Sequence, residues 1–411
     1  MNKTMAPLIV VLIAATGLSR TASAGTGKTQ GSSSLKTRVR KLKKRVDKLE
    51  KDRANSFKIG GALRVQYVYR DWDAASRKQA GTLDFDTFRF NINGTYKGII
   101  LSTEYRFYRG WNSLKYGWMG YDFTSHWQGR FGLTRIPFGI LPYASHSYFF
   151  SSNYYLGLED TYDAGVKMLY RNPRSPWDVR LAFFKDAQFG LYGSGDPGRY
   201  SFNVVTASGT ARNGDPAQQN VGDNMLAGRV AYTFGRQGAT TRVGVSLLAG
   251  QLYNKTTMRN GSRWAAGLHV NGNYGRWNVM IEFLRYEYHP RNPPGVNGDV
   301  IQLGAYDYYY PVPAGADSGL VNVAYTLPVR WGPVSSLKFY NDYTEIFRKQ
   351  GNYPPTQMNI LGTGIHAGKV YVYVDLVTAR NQPFIGGLMA PRTTDDRSWN
   401  TRFNINVGYY F

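Results

Sequence analysis

From Phe57 onward the chain alternates between apolar and polar positions. Phe57, Ile59, Gly61, Leu63, Val65, Tyr67 and Tyr69 share one parity, while Lys58, Gly60, Ala62, Arg64, Gln66 and Arg70 share the other, with Val68 as the exception. Phe88, Phe90, Ile92 and Tyr96 oppose Arg89, Asn91, Asn93 and Thr95 in the same way. The last segment repeats the pattern, Phe403, Ile405, Val407, Tyr409 and Phe411 against Arg402, Asn404, Asn406 and Tyr410. A period of two sends successive side chains to opposite faces of a strand. Sixteen segments of this kind start near residues 57, 83, 98, 127, 161, 176, 223, 241, 263, 277, 299, 320, 334, 356, 368 and 399.

Short turns such as Lys97-Gly98, Gly275-Arg276 and Ala367-Gly368 alternate with long segments, among them Asp71–Thr82, Gly110–Gly117, Gln188–Gly222, Pro290–Gly298 and Ala379–Ser398. An even number of strands with short turns at one end and long loops at the other predicts an all-β transmembrane antiparallel β-barrel, here of 16 strands. A soluble sandwich alternates too, but no amphipathic helix after residue 53 offers its loops anything to fold onto. Aromatic residues gather at strand ends, as in Tyr105–Trp111, Trp118–Phe123 and Tyr306–Tyr310. A lipid-interface girdle explains that placement; the competing reading is the carbohydrate platform of a lectin-like sandwich.

The first 55 residues are of another kind. Residues 1–24 have the form of a secretory signal, with Lys3, an apolar run Ala6–Leu18 and the small-residue site Ala22-Ser23-Ala24. Residues 25–34 are a Gly/Ser/Thr-rich flexible lead. In residues 35–55, Leu35, Val39, Leu42, Val46 and Leu49 follow a heptad seam, which predicts a short N-terminal coiled-coil helix; the even strand number puts both termini, and so this helix, in the periplasm. So short a helix is marginal alone in water, and a solvated basic helix is the plainer alternative. Nucleic acid is not an expected partner, because no base-reading residues accompany the basic ones.

Composition narrows the class further. Only 42% of the 411 residues are hydrophobic, too few for helical spans of about 20 apolar residues. A barrel tolerates this, since only every second strand residue meets lipid. The absence of cysteine excludes disulfides and thiolate chemistry. His126, His146, His269, His289 and His366 each stand alone, without a metalloprotease or hydrolase motif. We therefore expect no catalytic residue, no metal site and no cofactor.

Charge adds a direction. Of 50 Lys/Arg and 27 Asp/Glu, residues 1–55 hold 13 and 3, which leaves a formal +13 on the barrel body. Parity places Lys58, Arg64, Arg70, Arg89, Arg106, Arg130, Lys167, Arg180, Arg229, Arg242, Arg263 and Arg402 on the inward face, with Arg285 and Lys185 on the apolar one. A basic passage concentrates anions, and arginine suits carboxylate and phosphate. Glu104, Glu159, Asp160 and Asp163 are expected to temper the field or hold arginines in place.

The stretch Gly132–Tyr162, GLTRIPFGILPYASHSYFFSSNYYLGLEDTY, is the most specific in the chain. Pro137 and Pro142 stop the preceding strand, and a segment this aromatic needs a surface to pack against. With LKFYNDYTEI (Leu337–Ile346), the basic lead and the terminal Phe411, it resembles the phosphate-selective porin family and its dicarboxylate-channel relatives over about residues 56–411. The resemblance implies a sixteen-stranded homotrimeric porin of the Gram-negative outer membrane, in contact with outer-membrane lipid and lipopolysaccharide. It further implies that residues 136–160 fold into the lumen as a constriction loop. The expected function is passive, anion-preferring diffusion of small solutes such as phosphate, dicarboxylates or other organic acids. A receptor, adhesin or structural barrel is the alternative. The residues expected on the solute path are Arg64, Arg89, Arg106, Arg130, Arg135, His146, Lys167, Arg180, Arg229 and Arg402. Arg135 has outward parity but stands at the strand-to-loop junction, from which it can turn inward.

Overall fold

The computed structural model describes residues 37–44, 56–211, 213–391 and 398–411. The chain divides into two units, Met1–Arg53 and Ala54–Phe411. In the first, Thr37–Lys44 is helical, with every residue exposed. The expected signal, the flexible lead and the remainder of the 35–55 helix lie outside the described residues.

The second unit is a closed antiparallel barrel of sixteen strands. Its first half is β1 (Phe57–Arg70), β2 (Thr82–Tyr96), β3 (Ile99–Phe107), β4 (Asn112–Asp122), β5 (Trp127–Arg135), β6 (Tyr162–Tyr170), β7 (Trp177–Ala187) and β9 (Asn220–Arg236). The second half is β10 (Ala239–Asn254), β11 (Arg259–Tyr274), β12 (Trp277–His289), β15 (Gly315–Trp331), β16 (Val334–Phe347), β17 (Thr356–Ala367), β18 (Val370–Arg380) and β19 (Asn400–Tyr410). Three further strands, β8 (Asn203–Val204), β13 (Val300–Ala305) and β14 (Tyr308–Pro313), form a separate small sheet in the order β14-β13-β8. β1 closes the ring on β19, with Leu63 opposite Tyr409 and Arg70 opposite Arg402. Closure leaves no unpaired strand edge, which is what a sheet needs in a medium that cannot hydrogen-bond.

The two-residue period sorts the side chains as expected. Leu181, Leu226, Leu247, Leu268, Phe283 and Leu361 point outward and stay exposed, whereas Ala182, Ala227, Leu248, Leu284 and Ile360 point inward and are buried. A closed sheet wrapped in exposed aliphatic and aromatic side chains is a lipid-facing surface.

Two strand assignments change. The segment near 299 does not enter the barrel; β13 pairs with β14 and β8 instead, and all six of its residues are buried. Having no lipid face, it needs no alternation, and its run VIQLGA shows little. Conversely, the expected loop Gly110–Gly117 runs into β4. Lys115 there is the extra residue of a β-bulge, since Glu104 pairs with Tyr116 and Tyr105 with Leu114. The bulge shifts parity within the strand and hides the period. One gain and one loss leave the count at sixteen.

The barrel interior is filled on one side. The connection between β5 and β6, the inner sheet and the connection after β18 share one core in which Tyr154, Tyr155, Phe202, Leu303, Tyr310 and Ile385 are all buried. Tyr310 donates to the Tyr155 carbonyl at 2.5 Å. Gly157, at φ +73°, lets the loop backbone come against Phe202 where a side chain has no room.

Candidate functional site

The connection from Ile136 to Thr161 crosses the lumen, and acidic and polar side chains of the far wall hold it. Gly139 N–H donates to Ser246 Oγ on β10 at 3.0 Å, and Ile140 N–H donates to Glu282 Oε2 on β12 at 2.8 Å. Asn153 Nδ2 donates to the other oxygen of Glu282 at 3.0 Å. Further along, His146 and Ser147 N–H donate to Asp342 Oδ2 on β16 at 2.7 and 2.9 Å, and Tyr148 N–H donates to Asp375 on β18 at 3.3 Å. These bonds satisfy loop backbone groups that would otherwise be buried unpaired. Within the loop, Glu159 accepts from Ala144 N–H at 2.9 Å and from Ser151 Oγ at 2.5 Å, and burial pushes its carboxyl up to about 8.

The opposite wall, β1 to β4 with β19, stays open. A cavity of about 830 Å³ lies between it and the loop. Arg70, Asp84 and Arg109 line it at the long-loop end, and Gly368 and Lys369 line it in the short β17–β18 turn at the other end. Among the described residues its lining includes eight Lys/Arg against two Asp. The loop side is aromatic, with Tyr143, Tyr148, Phe149, Phe150 and Tyr154.

The cations of the open wall are held in place in different ways. Arg64 Nε lies 2.8 Å from Asp86 Oδ2, and its guanidinium stacks on Tyr148 at 5.3 Å. Glu104 sits between Arg106 at 2.6 Å and Arg89 at 3.4 Å. Arg402 has no carboxylate partner among the described residues and lies over Phe149 at 4.5 Å. Lys115 pairs with Asp160 at 3.0 Å. Burial works against the charge of Asp160, but Arg135 and Lys115 beside it outweigh burial and hold its pKa down at about 2.

Of the ten residues expected on the path, Arg64, Arg89, Arg106, Arg402 and His146 line this cavity. His146 is buried rather than free: Nδ1 lies 2.7 Å from Asp342 and Nε2 lies 2.6 Å from Asn278 Oδ1. Arg135 turns inward despite its parity, pairs with Asp160 at 2.5 Å and donates to Tyr162 Oη at 2.7 Å, so it pins the loop base. Arg130, Lys167, Arg180 and Arg229 stand inward on the β5–β9 wall but do not reach the long cavity. Lys167 donates to the Arg135 carbonyl at 2.6 Å, and Arg229 donates to the Gly139 carbonyl at 2.7 Å. Arg130 stacks on Trp118 at 3.9 Å, while Arg180 pairs with Asp178 at 2.7 Å in a second cavity of about 580 Å³ by the short turns. The loop backbone lies against Lys167 and Arg229 and separates them from the long cavity. Of the expected acids, Asp163 lies 3.9 Å from Arg263. Arg285 and Lys185 face outward, paired with Asp317 and Asp223.

Sequence reasoning missed Lys115, Asp86, Tyr200 and Tyr306 as cavity-side residues. Lys115 is hidden by its bulge and Asp86 by the register shift between Arg64 and Val65 on the paired strand. Tyr200 and Tyr306 reach the cavity from the inner sheet and its flanks, for which the strand period carries no signal.

No family model matches the chain, and no curated protein matches it. Solved structures do. An anion-selective porin from Comamonas acidovorans superposes with a TM-score of 0.55 at 12% identity, over 87% of this chain and 100% of that one. The outer membrane channel DcaP of Acinetobacter baumannii gives 0.53 at 9% identity, over 87% and 98%. OmpT, an outer membrane protein of Vibrio cholerae in a trimer form, gives 0.52 at 15% identity, over 87% and 100%. At these identities the likeness concerns the fold: the second unit of this chain has the sixteen-stranded barrel fold of the outer-membrane porins.

Proposed function

We propose that the chain is a passive channel of the bacterial outer membrane whose lumen favours small anions. One observation carries the reading: one continuous cavity has lining at both ends of the barrel, and among the described residues that lining holds eight Lys/Arg against two Asp. Such a passage raises the local concentration of anions, most at low salt. Arginines spaced along it offer several weak stations, which allows passage where one tight site would arrest the solute. The loop 136–160 acts as the constriction, since it supplies the wall facing Arg64, Arg106 and Arg402. Phosphate and small carboxylates both fit this charge. The channel works as a homotrimer among lipid and lipopolysaccharide, as the trimer form of a structural neighbour suggests.

The test is a planar-bilayer recording of the purified protein. Expected are stable conductance steps and a reversal potential of anion sign in a KCl gradient. Absent conductance would return the reading to a receptor, adhesin or structural barrel, and a cation preference at neutral pH would overturn the anion assignment.

A further inference from the structure

The four-residue connection between β3 and β4 carries an aromatic platform that neither barrel closure nor ion passage requires. The rings of Tyr108 and Trp111 stack in parallel, centroids 4.2 Å apart at 10°. Tyr306 stands edge-on to both, at 5.4 and 5.3 Å. Tyr306 is braced from behind: its hydroxyl is hydrogen-bonded to that of Tyr154 at 2.6 Å, and its backbone N–H donates to the Arg199 carbonyl at 2.9 Å. All three rings line the long cavity and remain half-buried, so part of their apolar surface meets water.

The platform adjoins the cationic row. Arg106 Nη1 donates to Tyr108 Oη at 3.2 Å, and Arg89 and Arg64 follow on the neighbouring strands of the same cavity wall. Arg109, on the connection itself, is exposed. A planar ring gains from stacking or edge contacts with such a surface, and a carboxylate gains from an adjacent guanidinium. Aliphatic acids use only the arginines and neutral aromatics use only the rings. We infer that Tyr108, Trp111 and Tyr306 form, with Arg106 and Arg89, a capture subsite at the long-loop mouth for aromatic monocarboxylates of benzoate type. This deepens the anion-channel reading and rests on it.

The experiment compares benzoate with cyclohexanecarboxylate, which has the same charge and nearly the same size without the π system. Each is added to the long-loop side of the channel in dilute KCl, and the frequency and duration of current interruptions give its binding. Benzoate is expected to bind about fivefold more tightly than cyclohexanecarboxylate, and phenol less well than benzoate. In Tyr108→Leu/Trp111→Leu the two acids should become equal. Equal binding of the two acids by the unsubstituted channel would overturn the subsite, as would an equal effect of phenol or retained discrimination in the double variant. The unsubstituted channel suffices for the first two outcomes should the variant fail to insert. A reversal potential of cation sign would instead strike the anion-channel reading, so the two failures are distinguishable.

Discussion

His146 and Asp342, 196 residues apart in the chain, meet across the lumen in a two-point contact. The backbone N–H of His146 donates to Oδ2 at 2.7 Å while its ring Nδ1 lies 2.7 Å from Oδ1. Ser147 N–H donates to the same carboxylate at 2.9 Å. Replacing Asp342 with alanine strands these buried groups, each at a cost of about 1–3 kcal/mol. The loop should then lose its middle anchor, and single-channel traces should show more frequent closures and a noisier open level. A trace as quiet as the unsubstituted channel's would show that Glu282 and Asp375 hold the loop alone.

The open wall makes opposite predictions for two neighbours. Arg402 has no carboxylate partner among the described residues, so Arg402→Gln removes an uncompensated cation from the cavity. Asp86 neutralises Arg64, so Asp86→Asn releases one. The ratio of anion to cation permeability should fall in the first variant and rise in the second, by about twofold each, in 0.1 M salt where screening extends about 10 Å. Reversal potentials check both, and a shift of the same sign in both would refute the assignment of the lumenal field.

Gly139 is held at φ +64°, and a Cβ there would meet Glu282 Oε2 at 2.5 Å. Gly139→Ala therefore combines about 1–3 kcal/mol of backbone strain with displacement of the carboxylate that anchors Ile140 and Asn153. Its thermal unfolding temperature in detergent should drop by several degrees. Gly275→Ala serves as the control, because at φ +60° it carries similar strain but meets no neighbour.

Glu159 supplies a pH dependence. Burial raises its carboxyl to about 8 in the folded protein, against about 4.3 for an exposed glutamate. A group raised in this way favours the folded loop fully below about pH 4, and that contribution is lost as pH rises through about 8. Thermal stability should therefore decline between pH 5 and pH 9. In Glu159→Gln, which keeps an acceptor for Ala144 N–H without the charge, the decline should be smaller.

Much of the barrel could be read directly from the residues. Leu181, Phe183 and Lys185 share one parity and Arg180, Ala182 and Phe184 the other, because a strand between lipid and lumen must alternate. That rule is local, so it survives without knowledge of any partner strand. It fails where locality fails: at the Lys115 bulge, which inserts a residue into the period, and in Val300–Ala305, which is buried on both faces and has nothing to alternate between.

The same boundary separates the inward cations from the ones that line the cavity. Parity put Arg64, Arg89 and Arg402 inward together with Lys167 and Arg229, and the residues themselves hold no further distinction. Tertiary structure makes it. Ser246, Glu282 and Asp342, each more than 100 residues from the loop groups they bind, hold residues 136–160 toward their own wall, and the long cavity lies between the loop and the other. Strand type, facing and overall charge follow from neighbouring residues in the chain. The path through the lumen depends on which distant carboxylates capture the loop, and that is settled only when the barrel closes.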